Sequence, residues 1–599
     1  MLAVTQGTAI LEFPPPANSM AQKKTLADLR SRRWYAASDM RAFAHRQRAQ
    51  QMGLRREDVL ERPCIAIINT WSDLSPCHAH LRERAEAVKR GILMAGGMPF
   101  ELPAMSLGEV MVKPTTMLYR NFLAMEVEET LRSLPIDGVV LLAGCDKTTP
   151  GTVMGAISMG LPTIFCAAGP MLNDRYLKPG EPERKVGAGT HTRMFWDEYQ
   201  AGQVSAAEWI KLEAHMTRSP GTCNTMGTAS TMTSIVEALG LALPASTSIP
   251  AMDAGHTRMA TTCGERIVGM VWEDLTPQAI LTRGAFLNAA AVQMALGGST
   301  NAAVHIVAMA RRAGVVLTLD DLDGVARKVP VLANLFPSGA HLMEDFHYAG
   351  GVPALMTRIA AHLSLAERNV NGRTLGQNLE GVQVFDDEVI RPLHRPVSAS
   401  GALAVLRGNL APEGAVMKAS AASAKFFKHR GTALVFDNPA QMNKACADPG
   451  LECDENTVLV LRNAGPVGAP GMPEWGGLPI PKKLLALGVR DMVRISDARM
   501  SGTHYGTCIL HVSPESAVGG PLALVRSGDR IEVDIQARRL HLDVADDELA
   551  RRRLAWAPPP APDTRGYARL YREHVTQAHE GCDFDFLQGA APTPEPVIY

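Results

Sequence analysis

The chain has no run of 18 or more apolar residues, so we expect no transmembrane helix. It also lacks an excess of either charge, because 60 Lys and Arg residues are balanced by 61 Asp and Glu residues. Without a basic excess we expect neither nucleic acid nor a membrane surface as a partner. Aromatic residues make up only 5% of the sequence, against 46% hydrophobic and 20% charged residues. This balance is typical of a globular protein, and 599 residues predict two or more domains.

Cysteine is also scarce, since ten residues scattered along the chain are too few for a disulfide framework. The N-terminal stretch lacks the basic segment that precedes the apolar part of a secretory signal. We therefore expect reduced thiols and a cytoplasmic protein. Residues 1–30 contain three consecutive prolines and are predicted to be a disordered extension, with Met1 or Met20 as the translation start.

Residues 31–380 alternate short apolar runs with helical patterns, and no short repeat interrupts them. Strands alternating with long helices indicate a mainly parallel sheet covered on both faces, an α/β/α domain. The predicted strands are 64–70, 139–143 and 162–166, and the predicted helices are 81–95, 117–134 and 289–313.

The pattern changes after about residue 375, where short apolar runs are separated by Gly and Pro turns. We expect residues 381–599 to form a smaller, β-barrel-like domain followed by a C-terminal helix and tail. The predicted strands are 382–385, 432–436, 458–462 and 492–496, with a hairpin formed by 530–535 and 539–543.

Three cysteines lie in loops that follow predicted strands or precede helices: Cys77, Cys145 and Cys223. Ligands of open α/β sheets bind beyond the carboxyl ends of the strands, so these distant loops can converge. Three thiolates can hold an iron–sulfur cluster with one iron position open, which makes that iron a Lewis acid. The alternative is that each is a small buried hydrophobe. We expect that role for the others, which are Cys64, Cys166, Cys263, Cys446, Cys453, Cys508 and Cys582.

Carboxylates form a second candidate group, namely Glu109, Asp146 beside Cys145, and Glu474. Oxygen ligands of this kind suit Mg²⁺, although a solvated loop position is the commoner role of a single acidic residue. Lys147 is either an ordinary ion-pair partner of Asp146 or a chemically modified residue. Soft and hard ligands side by side at the end of one strand indicate two adjacent metal centres.

Ser501 is the third candidate, because it lies in the turn after the predicted strand 492–496. A serine hydroxyl is a weak nucleophile or base unless a neighbouring base or metal activates it. The alternative is a turn serine that caps a helix, which is the commoner role of serine in turns.

Taken together, these motifs resemble the IlvD/Edd family of dehydratases, which includes dihydroxy-acid, phosphogluconate and sugar-acid dehydratases. The stretch Ser-Pro-Cys-His-Ala-His at 75–80 and Gly-Cys-Asp-Lys-Thr-Thr-Pro-Gly at 144–151 are examples. Many long motifs in family order, over almost the whole chain, make the resemblance specific. The other matching segments are 221–227, 297–301, 343–353, 407–410, 468–474 and 497–502.

The resemblance implies a role for each candidate. Cys77, Cys145 and Cys223 would hold the cluster, and a cysteine at position 77 favours [2Fe-2S] over [4Fe-4S]. Ser501 would be the catalytic base, as an alkoxide stabilised by Mg²⁺, and Thr503 a substrate contact. The implied Mg²⁺ ligands are Glu109, Asp146, Glu474 and Lys147, the last as a carbamylated lysine.

The implied reaction converts a 2,3-dihydroxy acid to a 2-keto-3-deoxy acid. Mg²⁺ would hold the carboxylate and 2-hydroxyl, Ser501 would remove the C2 proton, and the cluster iron would take the 3-hydroxyl. Segments 106–120 and 580–586 resemble the sugar-acid dehydratases, such as L-arabinonate and D-xylonate dehydratase. The alternative is dihydroxy-acid dehydratase of branched-chain amino acid biosynthesis, and phosphogluconate dehydratase is a weaker third possibility. The resemblance also implies a homodimer or homotetramer.

Two other classes of protein remain to be compared with a dehydratase. A cluster-based redox sensor or electron carrier would need no Mg²⁺ and would leave the three carboxylates without a role. A serine hydrolase built on Ser501 lacks a Gly-x-Ser-x-Gly motif. The motifs do not specify which sugar acid is used, and Trp475 is only a candidate wall of its pocket.

Overall fold

The computed structural model describes residues 23–177, 183–561, 565–589 and 593–598. Residues 1–22 of the predicted extension, with both candidate start methionines, lie outside the described residues. Within the remainder of that segment, Leu26–Asp28 form a short 3₁₀ helix. The predicted division of the chain near residue 380 remains a prediction.

A parallel sheet forms the centre of the N-terminal part, with its four strands in the order β2-β1-β3-β4. These strands are β1 (Cys64–Asn69), β2 (Met98–Pro103), β3 (Gly138–Ala143) and β4 (Thr163–Ala167). Every residue of β1, β3 and β4 is buried. Successive side chains point to opposite faces of a sheet, so complete burial means that both faces are covered. The predicted α/β architecture with a parallel sheet is confirmed.

Helices cover this sheet and extend the domain. The helix Leu81–Met94 packs against the helix Ala254–Glu273 and the sheet. The helix Thr148–Met159 packs against β3 and against two further helices, Thr116–Ser133 and Asn301–Arg312. A two-stranded ribbon, β5 (Asp174–Tyr176) and β6 (Arg184–Val186), follows the sheet. The α-helices before the barrel are α1 (Arg32–Tyr35), α2 (Met40–Gln51), α3 (Arg56–Leu60), α4 (Leu81–Met94), α5 (Thr116–Ser133), α6 (Thr148–Met159), α7 (Thr190–Gln200), α8 (Ala206–His215), α9 (Thr228–Ala238), α10 (Ala254–Glu273), α11 (Pro277–Ile280), α12 (Arg283–Ala295), α13 (Asn301–Arg312), α14 (Leu319–Ala326), α15 (Met343–Tyr348), α16 (Gly351–Arg358) and α17 (Leu375–Leu379).

A closed barrel of eight strands forms the C-terminal part, in the order β10-β11-β12-β8-β7-β14-β13-β9. Its own apolar core is filled by alternating side chains such as Ile531, Val533, Leu540 and Leu542. This closure confirms the predicted β-barrel-like domain. The strands are β7 (Ala404–Gly408), β8 (Ala411–Met417), β9 (Lys428–Phe436), β10 (Val458–Leu461), β11 (Arg494–Ser496), β12 (Cys508–Ser513), β13 (Arg530–Asp534) and β14 (Arg539–Asp543), and the helices are α18 (Pro439–Ala447), α19 (Lys482–Ala486), α20 (Asp546–Ala555) and α21 (Gly566–His574).

One predicted helix is wrong as a single element, because 289–313 is divided between α12 and α13. Gly297 has φ +67°, a left-handed conformation that ends α12. The Gly297-Gly298 turn then brings Ser299 and Asn301 to the start of α13. This break supplies polar side chains to the candidate site described below.

The predicted strand 382–385 is also wrong. The segment alternates between half-buried and exposed residues, with Val382 and Val384 against the core, but it pairs with no strand. The sequence pattern also missed β2, β7, β8 and β12. The strand β2 begins Met-Pro and ends at Pro103, and proline is tolerated there because β2 lies at the edge of the sheet.

Among the described residues, no helix is long and apolar enough to cross a membrane.

Candidate active site

The three candidate cysteines lie at the carboxyl edge of the parallel sheet. Cys77 is in the turn after β1, and Cys145 is separated from the end of β3 only by Gly144. Cys223 follows Thr222, which forms a parallel bridge with Pro170 just beyond β4. The sheet therefore brings together three thiols that are far apart in sequence, as the strand-end argument predicted.

The three thiols are close enough for the charge of one to change the pKa of another. The pKa of Cys77 is raised by its hydrogen bond with Cys145, then by burial and the charges of Cys145, Cys223 and Asp146. Burial, followed by the charges of Asp146 and Cys145, raises the pKa of Cys223 to about 12. A bound metal would lower the pKa of these thiols instead, since a thiol that coordinates a metal is deprotonated.

A buried histidine fixes the backbone at Cys145. The Cys145 N–H donates to His78 Nε2 at 3.1 Å and to Thr148 Oγ1 at 3.0 Å. Because Nε2 accepts, the imidazole proton is on Nδ1, which lies 3.0 Å from Ser106 Oγ. Burial lowers the pKa of His78 to about 3, so the ring is neutral near pH 7.

The sequence predicts that the other seven cysteines are small buried residues. Six of the seven that were predicted to be buried are buried. Cys453 is the exception and is half-buried, because it lies in the loop before β10 rather than in a core strand.

The three candidate carboxylates surround Lys147, whose side chain is fully buried. Its Nζ lies 3.0 Å from Glu109 Oε2, 3.4 Å from Asp146 Oδ2 and 3.9 Å from Glu474 Oε1. Glu474 belongs to the barrel part of the chain, whereas the other two carboxylates precede it. The cluster therefore joins the two parts of the protein at one point.

Further donors hold Glu474 in this cluster. Its Oε1 accepts from Asn301 Nδ2 at 2.9 Å and from Arg499 Nη1 at 3.2 Å. Burial would raise the pKa of Glu474, but the Lys147 and Arg499 cations outweigh it and lower the pKa. Burial raises the pKa of Glu109 and Asp146 although Lys147 opposes it.

The donor atoms of these side chains are of the kinds that the two expected metal centres require. Among the described residues, no group of three or more His, Cys, Asp or Glu side chains is placed to hold a metal ion directly. The carboxylate oxygens converge instead on the Lys147 ammonium, which is itself a cation. Carboxylate oxygens are ligands that Mg²⁺ prefers, and thiolates are ligands of iron–sulfur clusters. By donor chemistry the two sets fit these two centres.

Ser501 lies in a turn between β11 and β12 and is surrounded by hydrogen-bond donors. Its Oγ is 2.9 Å from Thr503 Oγ1, and the Thr503 N–H donates to it at 3.4 Å. Arg193 Nη1 donates to Thr503 Oγ1 at 3.0 Å. Either hydroxyl of this pair could be the donor, but an ionised Ser501 Oγ could only accept. The Thr503 hydroxyl and N–H would then both donate to the Ser501 oxygen, as stabilisation of an alkoxide requires.

Close packing connects the Ser501 turn with the other two groups. A Cβ added to Gly502 would lie 2.7 Å from Thr228 N and from the Ser299 side chain. Thr228 Oγ1 accepts from Asn301 Nδ2 at 3.1 Å, and the same amide binds Glu474. Arg193 and Glu474 also contribute to the pKa of Cys223. The thiols, carboxylates and hydroxyls thus form one site.

Sequence reasoning missed several members of this site. Arg193 lies on α7, and Lys418, whose Nζ donates to the Gly502 carbonyl oxygen at 3.1 Å, follows β8. No motif distinguishes either residue from other cations. Asn301 and Arg499 lie within recognised motifs, but nothing in those motifs showed that they bind Glu474. The candidate pocket wall Trp475 is 39% exposed and follows Glu474 directly.

Both halves of the chain match one family of proteins. Residues 62–378 match the N-terminal model and residues 388–582 the C-terminal model of dihydroxy-acid/6-phosphogluconate dehydratases. The chain belongs to this dehydratase family. Its resemblance to the IlvD/Edd dehydratases is thereby confirmed, and the chain is a dehydratase.

Individual members of the dehydratase family are similar over nearly the whole chain. A 6-deoxy-6-sulfo-D-gluconate dehydratase from Pseudomonas putida is 59% identical over 97% of this chain and 100% of its own length. An L-arabinonate dehydratase from Rhizobium leguminosarum is 49% identical over 94% of this chain and 96% of its own. A dihydroxy-acid dehydratase from Ignicoccus hospitalis is 41% identical over 90% of this chain and 97% of its own length. The first two of these relatives are named as dehydratases of sugar acids, and the third as a dehydratase of dihydroxy acids.

Proposed function

We propose that this enzyme dehydrates a sugar acid, a 2,3-dihydroxy carboxylate, to a 2-keto-3-deoxy acid. One observation carries the proposal: three thiols, three carboxylates and a hydroxyl with two donors converge at the carboxyl edge of the sheet. A redox carrier would not use the carboxylates or the serine. A serine hydrolase would use neither the thiols nor the carboxylates.

We assign Cys77, Cys145 and Cys223 to a [2Fe-2S] cluster. Glu109, Asp146 and Glu474 are assigned to Mg²⁺, together with Lys147 as a carbamate. When bound, Mg²⁺ would supply positive charge at the acid end of the substrate, and the cluster would supply a Lewis acid for the leaving hydroxyl. The donor sets described above support both assignments. The carbamate has its own support, because it would replace a buried ammonium by an oxygen ligand among carboxylates.

Ser501 is proposed to take the proton from C2 of the substrate. The Thr503 N–H and O–H groups stabilise its oxygen before transfer, and Arg193 holds the Thr503 hydroxyl in the donating direction. The C3 hydroxyl leaves with its bonding electrons and takes up the proton that Ser501 removed from C2, so one water is released and Ser501 is regenerated. The resulting enol loses the proton of its 2-hydroxyl and gains one at C3, which gives the 2-keto-3-deoxy acid, so no external oxidant or reductant is needed.

A cavity beside the Ser501 turn favours a substrate with a second anionic group. Its volume is about 490 Å³, and its lining includes Arg193, Lys482 and Arg490, together with Arg494, which is paired with the buried Asp491. Among the described lining residues, the only carboxylate is Asp197, which accepts a hydrogen bond from the Tyr505 hydroxyl. An excess of cations in a concave site attracts an anion. This observation supports 6-deoxy-6-sulfo-D-gluconate as a specific candidate.

Reconstituted enzyme should be incubated with L-arabinonate, D-xylonate, D-gluconate, 6-deoxy-6-sulfo-D-gluconate and 2,3-dihydroxyisovalerate, with mass spectrometry of the keto acids. We expect turnover of at least one sugar acid. Turnover of 2,3-dihydroxyisovalerate alone would establish the alternative, dihydroxy-acid dehydratase. 6-Phosphogluconate tests the third possibility and compares a phosphate with a sulfonate.

The role of the cavity can be tested separately. Arg490→Gln should reduce kcat/KM for the sulfonated acid about tenfold, on the scale of a lost charged hydrogen bond, and leave D-gluconate unchanged. Arg551→Gln, on the exposed face of α20, is the matched control. Equal losses for both substrates would contradict a role in binding the second anion.

The proposed homodimer or homotetramer and the cytoplasmic location also remain predictions. Mass photometry at low and high protein concentration would measure the oligomeric state directly.

A further inference from the structure

Within the part of the chain that the structure describes, Lys418 is a buried lysine without an acidic partner. Its side chain follows β8, and the residue is 1% exposed. Among the described residues its Nζ makes one hydrogen bond, to the carbonyl oxygen of Gly502 at 3.1 Å, and no carboxylate lies within ion-pair distance. Burying an ammonium without a paired charge is unfavourable, so its presence requires a reason. Lys147, which is equally buried, has three carboxylates around it.

The reason lies in the peptide group that Lys418 contacts. The Gly502 carbonyl and the Thr503 N–H belong to the same planar amide. That N–H is the group that faces Ser501 Oγ at 3.4 Å. A donor on the oxygen of an amide polarises the amide and strengthens the hydrogen bond made by its N–H. Lys418 is thus connected to the Ser501 oxygen through one peptide group.

We propose that Lys418 is a positioning residue that stabilises the ionised form of Ser501, by holding and polarising the Gly502–Thr503 peptide. This inference rests on the proposed role of Ser501 as the base. Each of the two Thr503 groups that face Ser501 Oγ, the hydroxyl and the N–H, is then connected to a basic side chain. Arg193 contacts the Thr503 hydroxyl, and Lys418 contacts the carbonyl of the peptide that carries the Thr503 N–H.

The charges around Lys418 are consistent with this role. Burial alone lowers its pKa to about 7, with no described charged group contributing. Next to Thr503 are Arg193 and His504, which are hydrogen-bonded to each other. In the loop that follows Lys418, the Ser423 N–H donates to Asp491, which forms an ion pair with Arg494. An anion on Ser501 would therefore be a new favourable neighbour for the Lys418 proton.

The test is the pH dependence of kcat for Lys418→Met, which removes the charge and keeps the length of the side chain. We expect kcat to fall about 10- to 100-fold, which is less than the loss caused by removing a direct oxyanion donor. KM should stay within about threefold of the wild-type value. The pH at half-maximal kcat should rise, since the Ser501 anion is less stabilised. Lys418→Arg should keep most of the activity and the wild-type profile. Lys425→Met is the matched control, because Lys425 is half-exposed and pairs with Glu455 at the surface.

A second measurement needs neither substrate nor metals. The thermal midpoint of metal-free Lys418→Met should exceed that of the wild type, because an unpaired buried charge has been removed. A residue with only a structural role would lower the midpoint when replaced. This readout also applies if the variant loses all activity.

Several results would overturn the inference. An active wild type whose Lys418→Met variant keeps its kcat and pH profile would remove Lys418 from the mechanism. Equal losses in Lys418→Met and Lys418→Arg, with an unmoved profile and a lower midpoint, would show a structural role. These outcomes leave the proposed function intact. A reconstituted wild type that turns over no sugar acid would overturn the proposed function and this inference together.

Discussion

Lys418→Met should stabilise the protein while it slows the reaction. The pKa of Lys418 is lowered from 10.5 to about 7 by burial. A lowering of this size corresponds to roughly 5 kcal/mol by which burial disfavours the charged form, at about 1.36 kcal/mol for each pKa unit. Methionine has a similar length and no charge, so the substitution removes this cost.

The sign follows from proton binding in the two states. Between pH 7 and 10.5 the unfolded chain holds a proton on Lys418 that the folded protein does not, so this lysine destabilises the fold. The destabilisation is absent above pH 10.5 and complete below pH 7. It amounts to about 4 kcal/mol at pH 7 and about 2 kcal/mol at pH 9. Loss of the hydrogen bond to the Gly502 carbonyl offsets it by about 1–3 kcal/mol at either pH.

We therefore expect the variant to be more stable than the wild type by about 2 kcal/mol at pH 7, and roughly equal at pH 9. The assay is thermal unfolding of both metal-free proteins at the same scan rate at pH 7 and pH 9. Comparison at one scan rate matters, because large multidomain proteins often unfold irreversibly. A variant that is less stable at pH 7, or a difference that does not shrink towards pH 9, would refute the reasoning.

Three further substitutions test the site and its support. Ser501→Ala should keep the cluster absorbance and lose turnover by several decades, and near wild-type rates would remove Ser501 from the mechanism. Cys145→Ser should lose iron and activity together, and full activity would contradict a cluster role. Arg312→Met should lower the free energy of unfolding by about 3–5 kcal/mol, because it leaves the fully buried Asp583 without its partner at 2.7 Å. Chemical denaturation measures that loss, and a change below 1 kcal/mol would contradict it.

The sequence predicted the elements whose local pattern and final environment agree. The strands β1, β3 and β4 are short apolar runs, and burial on both faces is what such runs indicate. The edge strand β2 escaped detection because its prolines are unfavourable anywhere except at an edge. The prediction of a strand at 382–385 is wrong for the opposite reason. Its residues alternate between half-buried and exposed as in a strand, but no described strand lies beside them. Strand pairing is a tertiary property that alternation cannot reveal.

The residues of the candidate site likewise fall into those that the sequence predicts and those that it does not. Cys77, Cys145 and Cys223 could be selected because cysteines in strand-end loops are unusual enough to be noticed. Arg193 and Lys418 could not, because arginine and lysine are common and their roles depend on which atoms they contact. Lys418 in particular follows an ordinary strand, and its importance appears only through the Gly502 carbonyl. Residues that act through the backbone of another segment leave no local signal.

Two buried lysines in one site should respond differently to carbon dioxide. An amine becomes a carbamate by adding carbon dioxide and losing a proton, so the product is an anion that needs a neighbouring cation. Lys418 has the lowered pKa that favours a free amine, but a carbamate there would be a buried anion without a described cation. Lys147 lies among Glu109, Asp146 and Glu474, where a carbamate is stable only with Mg²⁺ bound.

We therefore expect one carbamate signal in ¹³C NMR of the protein with ¹³C-bicarbonate and Mg²⁺, lost on chelation of Mg²⁺. Lys147→Arg should lack the signal, and Lys418→Met should retain it. A signal that persists without Mg²⁺ or disappears with Lys418 would show that pKa, rather than the neighbouring charges, decides which lysine is modified. Electron density at Lys147 offers an independent check, because a carbamate is easily lost during mass spectrometry.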